Sequence, residues 1–167
     1  MAIRQVMKIE INNPNAFSKR QLDEFEKIVV EAGEVQADGF RELLESAYRL
    51  VFLYVRGKLA ATGAIKIPRT SYRNRVFLKA SVSECADQFP YEAGWIVVTS
   101  ENRGKGLSTH IVNAIIEELA GEKCYATTRA DNLRMHKTFR RTNFSKLGED
   151  YNSSNGNYNL GLFCLSS

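Results

Sequence analysis

The stretch from Ile96 to Ser108, IVVTSENRGKGLS, constrains this chain more than any other, because it commits it to a strand that runs through a glycine loop into a helix. Ala93 to Thr99 is apolar and rich in β-branched residues throughout, the pattern of a central strand buried on both faces. Leu107, Ile111, Val112, Ile115, Ile116 and Leu119 then recur on one face of a helix that Gly121 ends. Between them, Gly104 and Gly106 let backbone N–H groups turn toward one point. The helix start adds unsatisfied donors and the positive end of its dipole, and Arg103 and Lys105 add charge. Such a loop is either a phosphate cradle or a purely structural turn. It lacks the Gly-Lys-Ser/Thr ending of a nucleoside-triphosphate loop. It also lacks the Gly-x-Gly-x-x-Gly spacing of a dinucleotide fold, since residue 109 is Thr.

The remaining chain alternates element types. Met7 to Ile11 reads as a strand. Ser18 and Gln21 form a capping box ahead of Leu22, Phe25, Ile28, Val29 and Ala32 at helical spacing, with Gly33 as the stop. Asp38 is placed to cap a second helix that buries Phe40, Leu43, Leu44 and Ala47. Leu50 to Val55 and Leu59 to Ile67 form a hairpin around Arg56-Gly57-Lys58. Tyr72 to Ala80 reads as helix and Ser81 to Pro90 as loop. Tyr125 to Thr128 is a strand and Asn132 to Arg141 a helix. Phe144 to Tyr151 and Asn157 to Leu165 close the chain as a hairpin around Ser153-Ser154-Asn155-Gly156. This order describes one mixed α/β domain over residues 1–167.

Composition narrows the class. The sequence of 167 residues carries 23 Lys and Arg against 19 Asp and Glu, a net charge of +4 that suits an anionic cofactor as well as a nucleic acid. Every apolar run is interrupted by Lys or Arg, so no spanning segment is expected, and MAIRQVMKIE lacks the apolar core of a signal peptide. Cys85, Cys124 and Cys164 are odd in number and lack metal-ligand spacing. Reduced thiols in a cytoplasmic protein with no metal follow from that.

Arg103-Gly104-Lys105-Gly106-Leu107-Ser108 resembles the Gln/Arg-x-x-Gly-x-Gly/Ala signature of the GNAT superfamily of acyl-CoA-dependent N-acyltransferases, with Ser108 in place of the final Gly or Ala. Farther on, Asn132-Leu133-Arg134-Met135-His136-Lys137-Thr138-Phe139-Arg140-Arg141-Thr142-Asn143-Phe144 keeps the spacing of that family's Asn-x-x-Ala-x-x-x-Tyr-x-x-x-Gly-Phe, with three side chains changed. The resemblance covers essentially the whole chain. It implies a mixed, mostly antiparallel sheet of about seven strands flanked by helices, with the fourth and fifth strands splayed into a V-shaped slot for acetyl-CoA. By the same resemblance Ile96, Val97 and Val98 pair with the pantetheine arm. Arg103, Gly104, Lys105, Gly106, Leu107, Ser108 and Thr109 hold the diphosphate, and Asn132 and Phe139 line the cofactor. A bulge in the fourth strand would aim the amide of Val97 or Val98 at the thioester carbonyl as the oxyanion donor.

Acyl transfer to an amine requires a proton acceptor, because a free lysine with a pKa of roughly 10.4 is protonated at neutral pH. Glu92 is the candidate base, at a position where several relatives carry a catalytic Glu; the alternative is a solvated strand-edge charge paired with a Lys or Arg. Asp87 and Glu84 stand behind it. Many relatives place a Tyr at residue 139 as general acid, and Phe139 has no proton to give. Tyr125, Tyr151 and Tyr158 are substitutes whose other role is core packing. Asn132 either caps its helix or bonds the pantetheine, and His136 reads as exposed on a basic helix.

The acceptor is sought along 33–47 and 68–91. In the second segment Arg69, Tyr72, Arg73, Arg75 and Lys79 are either acceptor contacts or the wet face of a helix that buries Val76, Phe77 and Ala80. The reading is transfer of an acetyl or related acyl group to a primary amine of a small molecule or protein, in a ternary complex, by a monomer or homodimer. A catalytically weak CoA-binding module is the alternative. A nucleic-acid-binding domain is a third reading, and it would need the cations gathered on one face.

Overall fold

The computed structural model describes residues 6–166. In chain order the elements are β1 (Met7–Asn12), α1 (Lys19–Glu31), α2 (Phe40–Glu45), β2 (Arg49–Val55), β3 (Lys58–Lys66), α3 (Thr70–Lys79), β4 (Tyr91–Val98), α4 (Leu107–Leu119), β5 (Cys124–Arg129), α5 (Leu133–Arg141), β6 (Ser145–Asn152) and β7 (Asn159–Leu165). The seven strands form one sheet in the order β1-β2-β3-β4-β5-β7-β6. Every neighbouring pair is antiparallel except β4 and β5, which run parallel. This is the expected mixed α/β sheet with β4 at its centre.

Strand alternation assigns the two faces. Val51, Leu53, Ile65, Cys124, Ala126, Phe163 and Leu165 point to one side and pack with α4 and with Phe139 of α5. Leu50, Phe52 and Ala64 point to the other, under α1 and α2. On that second side, beyond β4, Tyr125, Leu162 and Cys164 pack under α3 through Val76, Phe77 and Ala80. The helix faces follow their periodicity. Leu107, Ile111, Val112, Ile115 and Leu119 of α4 are buried as their spacing predicts. The capping box of α1 is formed, with Ser18 Oγ accepting from the Gln21 N–H and the Gln21 side chain accepting from the Ser18 N–H.

Three expectations change. Asp38 does not cap α2; Gly39 holds the cap position at φ +78° with no side-chain bond, so glycine's left-handed freedom starts the helix. Leu43 is 61% exposed while Phe40, Leu44 and Ala47 are buried, because Leu43 lies at the edge of the stripe that those three share. Residues 83–88 of the expected loop form a 3-10 turn. Among the described residues no helix is long and apolar enough to cross a membrane, and no group of His, Cys, Asp or Glu is arranged to hold a metal ion.

Candidate active site

The slot arises where two parallel strands part. β4 and β5 pair only at Tyr91 with Cys124 and Glu92 with Tyr125. From Ala93 onward β4 stays joined to β3, while β5 stays joined to β7 up to Arg129. The β5-facing edge of β4 past Glu92 is therefore unpaired, inside the sheet.

A bulge sets which groups that edge presents. The β3–β4 register shifts by one residue between Thr62 and Ala64, and Trp95 on the opposing strand sits at φ +49°. The phase of β4 reverses there. Tyr91 and Ala93 pack toward α4 before the bulge, and Ile96 and Val98 do so after it. Trp95 and Val97 turn to the α1–α2 face, where the Trp95 ring meets Phe40 edge-on at 5.0 Å. Thr62 Oγ1 donates to the Trp95 carbonyl at 2.8 Å and fixes the distortion. Past it, the Thr99 N–H donates to the Ala60 carbonyl at 2.9 Å. Because successive residues of a strand direct their polar groups to opposite sides, Val97 shares the β3-facing direction of Thr99, and the main chain of Val98 faces the slot.

At the end of β4 the glycine loop leads into α4. Gly104 and Gly106 adopt φ +78° and +73°, and Gly106 is the cap residue, with no side chain bonded to the first N–H groups of the helix. A Cβ at either glycine would meet nothing within 4 Å, so the loop opens to solvent. Arg103 and Lys105 are exposed, and Lys105 Nζ donates to Asn102 Oδ1 at 3.2 Å. Ser108 and Thr138 share a hydroxyl bond of 2.9 Å that ties the start of α4 to α5. The residues present fit a diphosphate: uncapped donors, the positive end of a helix dipole and two exposed cations share one loop, and among the described residues no carboxylate is bonded to either cation.

Glu92 lies on the other face, at the vertex. It is 4% exposed, so it is not solvated, but it has the lysine partner that the alternative reading expected. Lys66 Nζ stands 3.1 Å from Glu92 Oε1, and the Tyr72 hydroxyl lies 3.5 Å from Oε2, at the limit of hydrogen-bond range. Burial, with the Glu92 charge added, pushes the Tyr72, Tyr125 and Tyr151 hydroxyls well above the usual tyrosine range. The Tyr125 hydroxyl is buried with no hydrogen-bond partner. A carboxylate, an ammonium and three neutral phenols thus gather where β4 and β5 separate.

These features form one arrangement: an open strand edge, a donor-rich loop beside it, and a buried carboxylate across the sheet. The acetyltransferase (GNAT) family model matches residues 12–144. The chain belongs to the acetyltransferase (GNAT) family. Solved structures agree on the GNAT fold. An acyl-CoA N-acyltransferase from Pseudomonas aeruginosa superposes with a TM-score of 0.68 at 12% identity, over 95% of this chain and 99% of that one. The ribosomal-protein-S18-alanine N-acetyltransferase of Escherichia coli gives 0.66 at 16% identity, over 95% and 93%. NAA60 of Arabidopsis thaliana in complex with acetyl-CoA gives 0.65 at 14% identity, over 94% and 98%. No curated protein sequence matches the chain.

The other residues singled out in the sequence fall as follows. Asn132 caps α5, its Oδ1 accepting from the Met135 N–H at 3.2 Å. Phe139 is 1% exposed, enclosed by Phe144 and Phe163 at centroid distances of 4.9 and 5.1 Å. His136 is buried rather than exposed; its Nε2 lies 3.0 Å from the Arg129 carbonyl and its ring packs on Phe163, because α5 turns that face to β7 and its arginines outward. Arg73 Nη2 donates to Asp87 Oδ1 at 3.0 Å, while among the described residues its buried Nε has no hydrogen-bond partner. Cys124 and Cys164 are buried free thiols, and burial pushes Cys124 up to about 12. Sequence reasoning missed Lys66 and Trp95. Gly94 was the available signal for Trp95, since a glycine inside a strand often marks a bulge.

Proposed function

We propose that this protein is an acetyl-CoA-dependent N-acetyltransferase, a single cytoplasmic domain that passes an acetyl or related acyl group directly to a primary amine of a small molecule or protein. The observation that carries the reading is the unpaired edge of β4 past Glu92, which ends at the uncapped glycine loop of α4. Bound acetyl-CoA supplies an acyl group already activated as a thioester. Gly104, Gly106 and the first amides of Leu107, Ser108 and Thr109 hold the diphosphate, with Arg103 and Lys105 neutralising it. Ile96 and Val98 offer the pantetheine arm a strand to pair with. The Val98 N–H, directed into the slot, supports a developing oxyanion more readily than the Val97 N–H, which faces β3. Glu92 accepts the proton that the attacking amine must lose. Phe139 contributes packing alone, and the phenols of Tyr72, Tyr125 and Tyr151 remain as protonated groups at the vertex.

Titration with acetyl-CoA in a thermal-shift assay, followed by thiol release against a panel of amines, tests this. A concentration-dependent rise in Tm and amine-dependent thiol support it. An unchanged Tm removes the donor site. A second reading, a CoA-binding module with little turnover, is favoured by one observation: Phe139 stands where many relatives have a tyrosine. A Tm shift without amine-dependent thiol would select it.

A further inference from the structure

Lys66 ends β3 and pairs with Glu92 across the ladder, yet its side chain does not leave for solvent. It bends along the sheet over Gly94, the second residue past the last β4–β5 pair. A methyl group added at Gly94 would meet Lys66 Cε and Nζ at 2.9 Å. The ammonium lies 4.8 Å from the centre of the Trp95 ring and 3.1 Å from the Glu92 carboxylate. Carboxylate, aromatic face and nearby phenol are the groups that would hold the ammonium of an incoming acceptor. Here they hold an amine belonging to the chain, beside the carboxylate placed to deprotonate it, where the sheet opens toward the donor side. Glycine at residue 94 leaves room for this; any side chain there would push the lysine out.

We propose that Lys66 is a self-acylation site: its Nζ occupies the acceptor position and takes the acyl group of an acyl-CoA donor when no other amine displaces it. Lys66 first gives one proton to Glu92, which passes it to solvent. The neutral Nζ then bonds to the acyl carbon as the carbon–sulfur bond breaks, and its second proton goes to the departing thiolate. The products are an amide at Lys66, free CoA thiol and one proton released. The charge on Lys66 is lost, so the modified chain no longer has the ion pair with Glu92.

This inference rests on the acyltransferase reading, and the experiment separates the two. The full-length protein is incubated with acetyl-CoA and no amine, and acetylated lysines are located and timed by peptide mass spectrometry. The expected result is one acetyl group per chain, at Lys66, with one equivalent of thiol. Chance chemistry would favour the opposite order, because the Lys66 side chain is 24% exposed while those of Lys8 and Lys19 are 68% and 88% exposed. Glu92→Gln should slow labelling at Lys66 by about a hundredfold, the low end of a general-base effect, while acetyl-CoA still raises its Tm. Lys66→Arg should remove the label without transferring it to neighbouring lysines. Labels spread over exposed lysines with Lys66 lagging, or Lys66 labelled at an unchanged rate in Glu92→Gln, would overturn the proposal. Turnover of added amines with Lys66 unmodified would overturn it and leave the acyltransferase reading standing; absence of any Tm shift with acetyl-CoA would take both down.

Discussion

The two sides of the slot are built on opposite terms. The donor side, around Gly104 to Thr109, is left unsatisfied: left-handed glycines, free helix amides, exposed cations and no side chain bonded to the helix start. The vertex on the other side is almost fully engaged: Glu92 is buried, ion-paired with Lys66 and approached by Tyr72. Exposed donors and cations can stand without protein partners, since water solvates them. A buried carboxylate cannot stand in that way, because an unpaired buried charge costs several kcal/mol. The difference teaches that exposed donors can be left to solvent, whereas a buried carboxylate needs a cation built into the chain.

The comparison can be broken in four places. Gly106→Trp places a bulky side chain in the open loop and strains a residue at φ +73°. CoA affinity should fall by at least a hundredfold, about two lost charge-assisted contacts, when measured by calorimetry. Unchanged affinity would mean that the loop holds nothing. Glu92→Gln tests the other side. Turnover should drop by about a hundredfold, within the range of general-base effects, with CoA affinity nearly intact. Wild-type turnover would remove Glu92 as the base. Arg103→Ala or Lys105→Ala should each weaken CoA by about fivefold at low salt, a gap that closes as ionic strength rises because both side chains are exposed. A salt-independent loss would place these cations in a drier site than the structure gives them. The smallest effect belongs to Tyr125→Phe. Removing a buried hydroxyl with no partner while keeping the ring should raise stability by about 1 kcal/mol or leave it unchanged, read from the urea midpoint. A clear loss of stability would show that the hydroxyl is hydrogen-bonded after all.

The strand, glycine loop and helix around Gly104 and Gly106 were legible in the sequence, and the surroundings of Glu92 were not. Local rules set the loop: glycine spacing, helix periodicity from Leu107 to Leu119 and a preceding apolar strand all lie within one short stretch. The capping box at Ser18 is equally local. Glu92 was singled out by its position, but its partner Lys66 lies across a strand pair, and pairing register is set by the whole sheet. Trp95 reads as an ordinary strand residue because a bulge depends on the mismatch between two strands. His136 misled for a similar reason: its neighbours in sequence are basic, while its neighbours in space are Phe163 and a carbonyl. Leu43 misled through its angle, since it sits at the edge of the stripe set by Phe40 and Leu44.

The extra residue at Trp95 joins the two sides. One turn of backbone there sends the indole ring down onto Phe25 and Phe40 and, on the following residues, rotates free amide groups outward. The packing under α1 and α2 and the direction of the amides along the open edge of β4 therefore share a single mechanical pivot. A substitution that reshapes the packing at this residue would therefore turn the amides of the open edge at the same stroke, whereas changes on the outer faces of α1 and α2 leave that edge as it is.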